Sequence, residues 1–122
     1  MSNDQSVPNA EFTAPERVAR IRALNDELRC TLRGGRVVVT RGVASLGKGA
    51  TLELLAALRQ YDDFTPDNDP HGEHDFGAID VAGERAFWKV DYYNREMTAG
   101  SEDPSDPAVT ERVLTIMLAD EY

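Results

Sequence analysis

The sequence contains a single cysteine, Cys30, and no apolar run that approaches the length of a membrane span. One cysteine cannot form an internal disulfide, and this usage is typical of a reducing compartment. A membrane-crossing helix needs about 20 consecutive apolar residues. The first ten residues are polar and lack the apolar stretch of a secretory signal. These absences predict a cytoplasmic protein without a membrane contact.

The 122-residue chain has a net charge of −9, which is unevenly distributed. Residues 1–61 hold nine Lys/Arg and six Asp/Glu, giving +3, whereas residues 62–122 hold four and sixteen, giving −12. A half this acidic repels nucleic-acid backbones and attracts cations or a basic protein surface. Acidic surfaces can also serve solubility alone. We therefore expect a basic protein partner and no direct nucleic-acid binding, and the charge leaves the oligomeric state open.

The length allows one domain, predicted over residues 13–122 after a flexible tail over residues 1–12. Thr13, Pro15 and Glu16 predict a capped helix start, and Gly34-Gly35 ends that helix. A short strand is predicted over residues 36–41, and a second helix over residues 50–61. The apolar residues that mark the two helices are Val18, Ile21, Leu24 and Leu28 in the first, and Leu52, Leu55 and Leu58 in the second.

Two strands, residues 76–81 and 84–93, read as a β-hairpin across Ala82-Gly83, with Trp88 on the core face. Asp106-Pro107 is a good helix start, and it predicts a last helix with an apolar stripe at Val109, Val113, Ile116 and Met117. The order α-β-α-β-β-α indicates an α+β fold. We expect a small antiparallel or mixed sheet with helices packed on one face.

The segment Gly42–Lys48 matches part of a phosphate-binding loop, G-x-x-x-x-G-K. The next residue is Gly49, where such a loop needs a Ser or Thr for magnesium. No apolar strand ending in Asp follows to supply the second magnesium contact. The segment is therefore interpreted as a glycine-rich connection, and no nucleotide cofactor is predicted.

The most unusual chemistry lies in the loop from Asp62 to Phe76, which contains both histidines of the chain and six carboxylates. Four residues fit the first, third, fifth and sixth positions of a calcium loop: Asp67, Asp69, His71 and Gly72. Position twelve is Ala78, where a bidentate glutamate is needed, so a calcium loop is excluded. The six acids are expected to form an interaction loop: Asp62, Asp63, Asp67, Asp69, Glu73 and Asp75.

The alternative for this loop is a divalent metal ion. An open site with two histidines and a carboxylate would use His71 and His74 with one or more of Asp67, Asp69, Glu73 and Asp75. The two histidines are three residues apart in an irregular segment, unlike the helical pair of metalloproteases. The same residues also suit a rigid, turn-rich loop without a ligand. No catalytic residue is predicted.

Three stretches of the chain are similar to a small bacterial family of unknown function. They read DFTPDNDPHGEHDFG over Asp63–Gly77, FWKVDYY over Phe87–Tyr93 and RVLTIMLADEY over Arg112–Tyr122. The resemblance covers roughly residues 17–122. It implies a bacterial cytoplasmic protein that is common on plasmids and other mobile elements, and it carries over no catalytic residue.

Two functions follow from these observations as hypotheses. The first is a non-enzymatic interaction protein whose acidic half docks on a basic protein. In its sharpest form that protein would mimic DNA charge and block a restriction or CRISPR nuclease. The second is a metal-binding protein or metal-dependent hydrolase built on the loop. A toxin or antitoxin component is a third possibility.

Overall fold

The computed structural model describes residues 12–122, so the predicted tail lies almost wholly outside the described residues. The elements are three helices, α1 (Ala14–Thr31), α2 (Arg41–Ala44) and α3 (Lys48–Arg59), and four strands, β1 (Arg36–Val39), β2 (Phe76–Val81), β3 (Glu84–Tyr93) and β4 (Glu111–Leu118). A single 3-10 turn, Ala119–Glu121, follows β4. Within residues 12–122, no helix is long and apolar enough to cross a membrane.

The strands form one sheet in the order β1-β4-β3-β2. β1 runs parallel to β4, and the β4-β3 and β3-β2 pairs are antiparallel, so the sheet is mixed. The helices pack on the face that carries Trp88, and the core between them contains Leu28, Leu54, Leu58, Leu114 and Ile116. The predicted α+β fold is confirmed.

The first helix begins where its sequence predicts. The Thr13 hydroxyl accepts a hydrogen bond from the Glu16 amide at 3.1 Å, and the Glu16 carboxylate accepts one from the Thr13 amide at 2.8 Å. Ile21 and Leu28 are buried, as the apolar spacing predicts. Asn25 and Arg29 are also buried on this helix, which the apolar spacing does not predict.

The next elements are shifted relative to the prediction. The strand ends at Val39, because Thr40 caps α2, and α3 begins at Lys48 rather than residue 50. Leu54 and Leu58 are the buried leucines of α3, whereas Leu52 is 59% exposed. The predicted apolar face of α3 is therefore wrong at Leu52, because the helix packs on the core through Leu54 and Leu58 instead.

The hairpin is confirmed, with Ala82 at φ 53° and Gly83 at φ 77° in the two-residue turn. On β2, Gly77 pairs with Trp88. A Cβ at Gly77 would lie 2.6 Å from Cζ of Tyr61 and would also collide with the Trp88 indole. A glycine is required here because the tyrosine and tryptophan rings lie directly over the strand.

The predicted last helix is wrong, because residues Glu111–Leu118 form β4. The strand lies between β1 and β3, and side chains from both of its faces are buried. A strand buried on both sides shows a nearly continuous apolar run instead of an alternation. Such a run cannot be distinguished from a buried helix by periodicity.

Candidate functional site

The loop over residues 62–75 connects α3 to β2 and contains no helix or strand. Its first half is built from side-chain turns. The Thr65 amide donates to Oδ1 of Asn68 at 2.8 Å, and the Asn68 amide donates to the Thr65 hydroxyl at 3.2 Å. The Asn68 side-chain amide reaches the Asp63 carbonyl at 2.8 Å. Asn and Thr side chains thus supply the turn bonds that regular structure would otherwise provide.

His74 holds the second half of the loop. Its Nδ1 lies 2.8 Å from Oδ1 of Asp26 on α1, and its Nε2 lies 3.8 Å from Oδ2 of Asp69. The His74 ring stacks on Phe64, with centroids 3.7 Å apart and planes inclined by 5°. Its backbone adopts φ 54°, and its amide donates to Asp69 at 3.1 Å. These contacts together fix a left-handed conformation that a non-glycine residue rarely adopts.

Helix α1 docks the loop through polar side chains at helical spacing. Arg22 donates to the Gly72 carbonyl at 2.9 Å, and Asn25 donates to the Glu73 carbonyl at 3.0 Å. Arg29 donates to the Tyr61 carbonyl at 2.7 Å. Together with Asp26 these residues form a polar stripe at positions i, i+3, i+4 and i+7. That spacing is visible in the sequence, and it is the signal that reasoning from apolar residues missed.

The six loop acids divide into two groups of three. Asp62, Asp63 and Asp67 are exposed. Asp69, Glu73 and Asp75 turn inwards: Asp69 is buried, Glu73 accepts a hydrogen bond from the Tyr92 hydroxyl at 2.7 Å, and Asp75 is partly buried. Burial, with a contribution from the nearby Glu73 carboxylate, raises the pKa of Asp75. The loop therefore presents Asp62, Asp63 and Asp67 fully to solvent, whereas its other three acids are partly or wholly buried.

A buried polar network lies behind the loop. Arg112 donates through Nε to Oδ1 of Asn25 at 2.8 Å, donates to the Pro104 carbonyl, and lies over the Tyr92 ring at 5.2 Å. Burial raises the pKa of Tyr92, as does the bond to Glu73, and burial lowers the pKa of Arg112. This network joins α1, the loop, β3 and β4, and the sequence analysis did not identify it.

The predicted metal ligands do not converge on one point. Within residues 12–122, no group of three or more His, Cys, Asp or Glu side chains is arranged to hold a metal ion. Asp26 and Asp69 lie at opposite nitrogens of the His74 ring, so the three cannot surround one cation. His71 and Asp67 are exposed on the loop surface.

The glycine-rich segment before α3 is occupied by the protein itself. The Glu121 carboxylate accepts hydrogen bonds from the Thr40 hydroxyl at 2.6 Å and from the Gly42 amide at 2.9 Å. The Thr40 bond is the main cause of the lowered pKa of Glu121. Ala78, the twelfth position of the excluded calcium loop, lies in β2. Part of the segment thus forms α2, with a protein carboxylate at its first turn, instead of an open phosphate-binding loop.

A shallow groove of about 490 Å³ runs along the loop surface. Its lining includes four titratable side chains, Arg22, Asp69, His71 and His74, and four apolar ones, Val18, Phe64, Pro66 and Pro70. The groove is open, and Arg22 is already bound to the loop backbone. It resembles a contact surface more than an enclosed ligand site, because ligand sites bury most of their ligand.

Comparison with known proteins gives a family and no described relative. Neither a curated protein nor a solved structure matches the chain. A family match covers residues 39–121, which includes α2, α3, the loop and all of β2 to β4. The chain belongs to the family described as "Protein of unknown function (DUF3768)".

Proposed function

We propose that the protein is a non-enzymatic interaction protein that presents an acidic surface to a basic surface of another protein. The observation that carries the proposal is the charge of −12 over residues 62–122, combined with the exposure of Asp62, Asp63 and Asp67. Within residues 12–122, none of these three carboxylates forms an ion pair. Their charge is therefore available to an external cation.

The inward groups of the loop support a binding role over a catalytic one. Both ring nitrogens of His74 face carboxylates, and the Glu73 carboxylate is bound by a tyrosine hydroxyl. A general base must have a nitrogen or oxygen that can reach a substrate proton. The loop uses these groups to hold its own shape, which pre-organises the exposed acids on a fixed backbone and lowers the entropic cost of docking.

In its sharper form, the proposal is a DNA-mimic-like inhibitor of a nucleic-acid-handling host-defence protein, such as a restriction or CRISPR nuclease. Its support is the acidic half together with the resemblance to proteins of plasmids and mobile elements. A nuclease that binds phosphates with Lys and Arg would recognise carboxylates through the same charges. This form predicts that DNA and the protein compete for one surface of the partner.

The test begins with capture of partners from bacterial lysate at low ionic strength, followed by titration of each purified partner. We expect the affinity to fall steeply with salt, because exposed charges are screened. The variant D63N/D67N should bind more weakly than the wild type. The variant E27Q/E53Q is the matched control, since it removes the same charge from exposed positions on α1 and α3. Equal losses in both variants, or no partner at low salt, would contradict the proposal.

The alternative, a divalent metal ion held by the loop, has less support because its expected ligands point in different directions. A melting scan with chelator, zinc, manganese or calcium tests it directly. A metal-dependent rise in melting temperature that is lost in a His71→Ala variant would favour the metal function instead. His71 suits this test because its exposed side chain is dispensable for the loop contacts described above.

A further inference from the structure

The sheet has a second face, opposite the helices, which we call the open face. Side chains alternate along a strand, so the neighbours of Trp88 and Ile116 in sequence point away from the core. An aromatic cluster lies there, in which Phe76, Phe87 and Tyr122 have ring centroids 5.2 to 5.9 Å apart. Tyr122 is 74% exposed and Val38 is 42% exposed. The open face thus carries apolar side chains that are in contact with solvent.

The register across the strands shows how these side chains are arranged. Val38 pairs with Thr115, Thr115 pairs with Lys89, and Lys89 pairs with Phe76. These four side chains form one row across the whole sheet. The row places the exposed valine at one edge and the aromatic cluster at the other.

The charges of the open face are paired with one another. Lys89 and Asp91 lie 2.6 Å apart, and Glu111 contacts two arginines, Arg36 at 3.2 Å and Arg95 at 3.6 Å. Arg85 lies 3.5 Å from Asp80 at the hairpin end. Four cations and three carboxylates therefore leave this face almost neutral in a chain of net charge −9.

We propose that the open face binds a second copy of this chain, forming a two-fold symmetric dimer. Two copies of so acidic a protein repel each other unless they meet on a surface without excess negative charge. A two-fold interface must be complementary to itself, and a two-fold axis through the middle of the row would place the exposed valine edge of one copy against the aromatic cluster of the other. A basic protein would find no excess negative charge on this face, and a nucleic acid would meet its carboxylates.

The size of the face sets the expected strength of this dimer. Strands lie about 4.8 Å apart and rise about 3.3 Å per residue, so strands of 4, 6, 10 and 8 residues cover roughly 450 Å². Two such faces together bury roughly 900 Å², which is typical of weak, transient interfaces. We therefore expect a reversible dimer whose population depends on concentration.

The dimer would leave the acidic loop free. Phe64 of the loop contacts Trp88 with centroids 6.2 Å apart, which places the loop on the helix side of the sheet. Two copies joined through their open faces would direct their loops outward, in opposite directions. The inference does not depend on the proposed binding of a basic partner, and either can fail without the other.

Sedimentation equilibrium of the full chain over a range of concentrations and salt tests the dimer. We expect a monomer–dimer equilibrium that does not weaken with added salt, because salt screens the repulsion between two acidic copies. This is the opposite of the salt effect expected for a basic partner. A wild-type protein that stays monomeric at every concentration overturns the inference.

Two variants replace an exposed apolar side chain by lysine on opposite sides of the molecule. Val38→Lys adds an unpaired charge to the open face, and we expect dimerisation to weaken by at least about tenfold. Leu52→Lys makes the same change on α3 and should leave dimerisation unchanged. Tyr122→Lys provides a second open-face variant in case Val38→Lys fails to fold. If Leu52→Lys and both open-face variants associate equally, the inference is overturned. It is also overturned if dimerisation appears only after residues 1–11 are removed.

Discussion

Replacing Asn25 by alanine should destabilise the protein far more than the loss of one small polar side chain suggests. Asn25 is fully buried on α1. Its amide nitrogen donates to the Glu73 carbonyl at 3.0 Å and to the Tyr92 hydroxyl at 2.8 Å, and its oxygen accepts from Arg112 at 2.8 Å. Within this network, Asn25 is the residue whose side chain contacts the loop, β3 and β4 together.

The expected magnitude follows from the partners that are left without a bond. A buried group without a hydrogen bond costs about 1–3 kcal/mol, and a charged group costs more. The Arg112 guanidinium and the Glu73 carbonyl both lose a bond, whereas the Tyr92 hydroxyl keeps its bond to the Glu73 carboxylate. Alanine recovers roughly 0.5 kcal/mol through its helix propensity. We expect a net loss of about 3–5 kcal/mol of the free energy of unfolding, out of about 5–15 kcal/mol for a typical domain.

Urea denaturation monitored by the fluorescence of Trp88 measures this loss, and an unchanged slope against urea would confirm that both proteins unfold in the same way. Asn68→Ala is the control, since its hydrogen bonds are in the exposed part of the loop and water can replace them. That variant should lose about 1 kcal/mol or less. An Asn25→Ala protein within about 1 kcal/mol of the wild type, or equal to the control, would refute the claim that Asn25 links these elements.

Three further substitutions test particular contacts. Gly77→Ala should lower the free energy of unfolding by about 1–3 kcal/mol in urea denaturation, because a Cβ at this position overlaps Tyr61. Gly49→Ala on α3 is the control, since its Cβ meets open space and the change should be neutral or slightly stabilising. Similar losses in both variants would contradict the close approach of Tyr61 to Gly77. Asp75→Asn should raise the melting temperature at neutral pH, since burial raises the pKa of Asp75 and the ionised carboxylate is disfavoured in the folded protein. The gain should shrink as the pH falls towards the ordinary carboxyl pKa, because the wild-type carboxyl then becomes protonated in the folded protein, and a gain that does not depend on pH would exclude this explanation. Tyr92→Phe should cost about 1–2 kcal/mol in the same denaturation assay by removing a donor to Glu73, and an unchanged stability would show that the bond makes no net contribution.

The acidic loop has two roles that its sequence does not separate. Six carboxylates in one short segment suggest a single acidic surface, yet three of them turn inwards, with Asp69 held by the His74 amide and Glu73 by the Tyr92 hydroxyl. The inward acids and His74 fix the backbone, and the exposed acids remain for a partner. A variant that changes an inward acid therefore tests stability, and one that changes an exposed acid tests binding.

Local sequence was sufficient where a structural choice depends on neighbouring residues. The capping box at Thr13 and Glu16, the hairpin turn at Ala82-Gly83 and the core position of Trp88 were all predicted and confirmed. Each rests on hydrogen bonds or alternation within a few residues. The uneven charge is likewise fixed by composition, because it does not depend on the fold.

The tertiary structure decided what depends on the surroundings of a segment. Residues Glu111–Leu118 form a strand because β1 and β3 pair with its two edges, and side chains on both of its faces are buried, which removes the alternation that identifies an exposed strand. Likewise, His74 meets Asp26 across 48 residues of chain, a contact that no local spacing specifies. The sequence alone determined the N-terminal cap of α1, the hairpin and the acidity of the second half. Only the packing of the loop against α1 and β3 decided which acids face solvent, since this packing buries Asp69, partly buries Asp75 and brings the Tyr92 hydroxyl within hydrogen-bonding distance of Glu73.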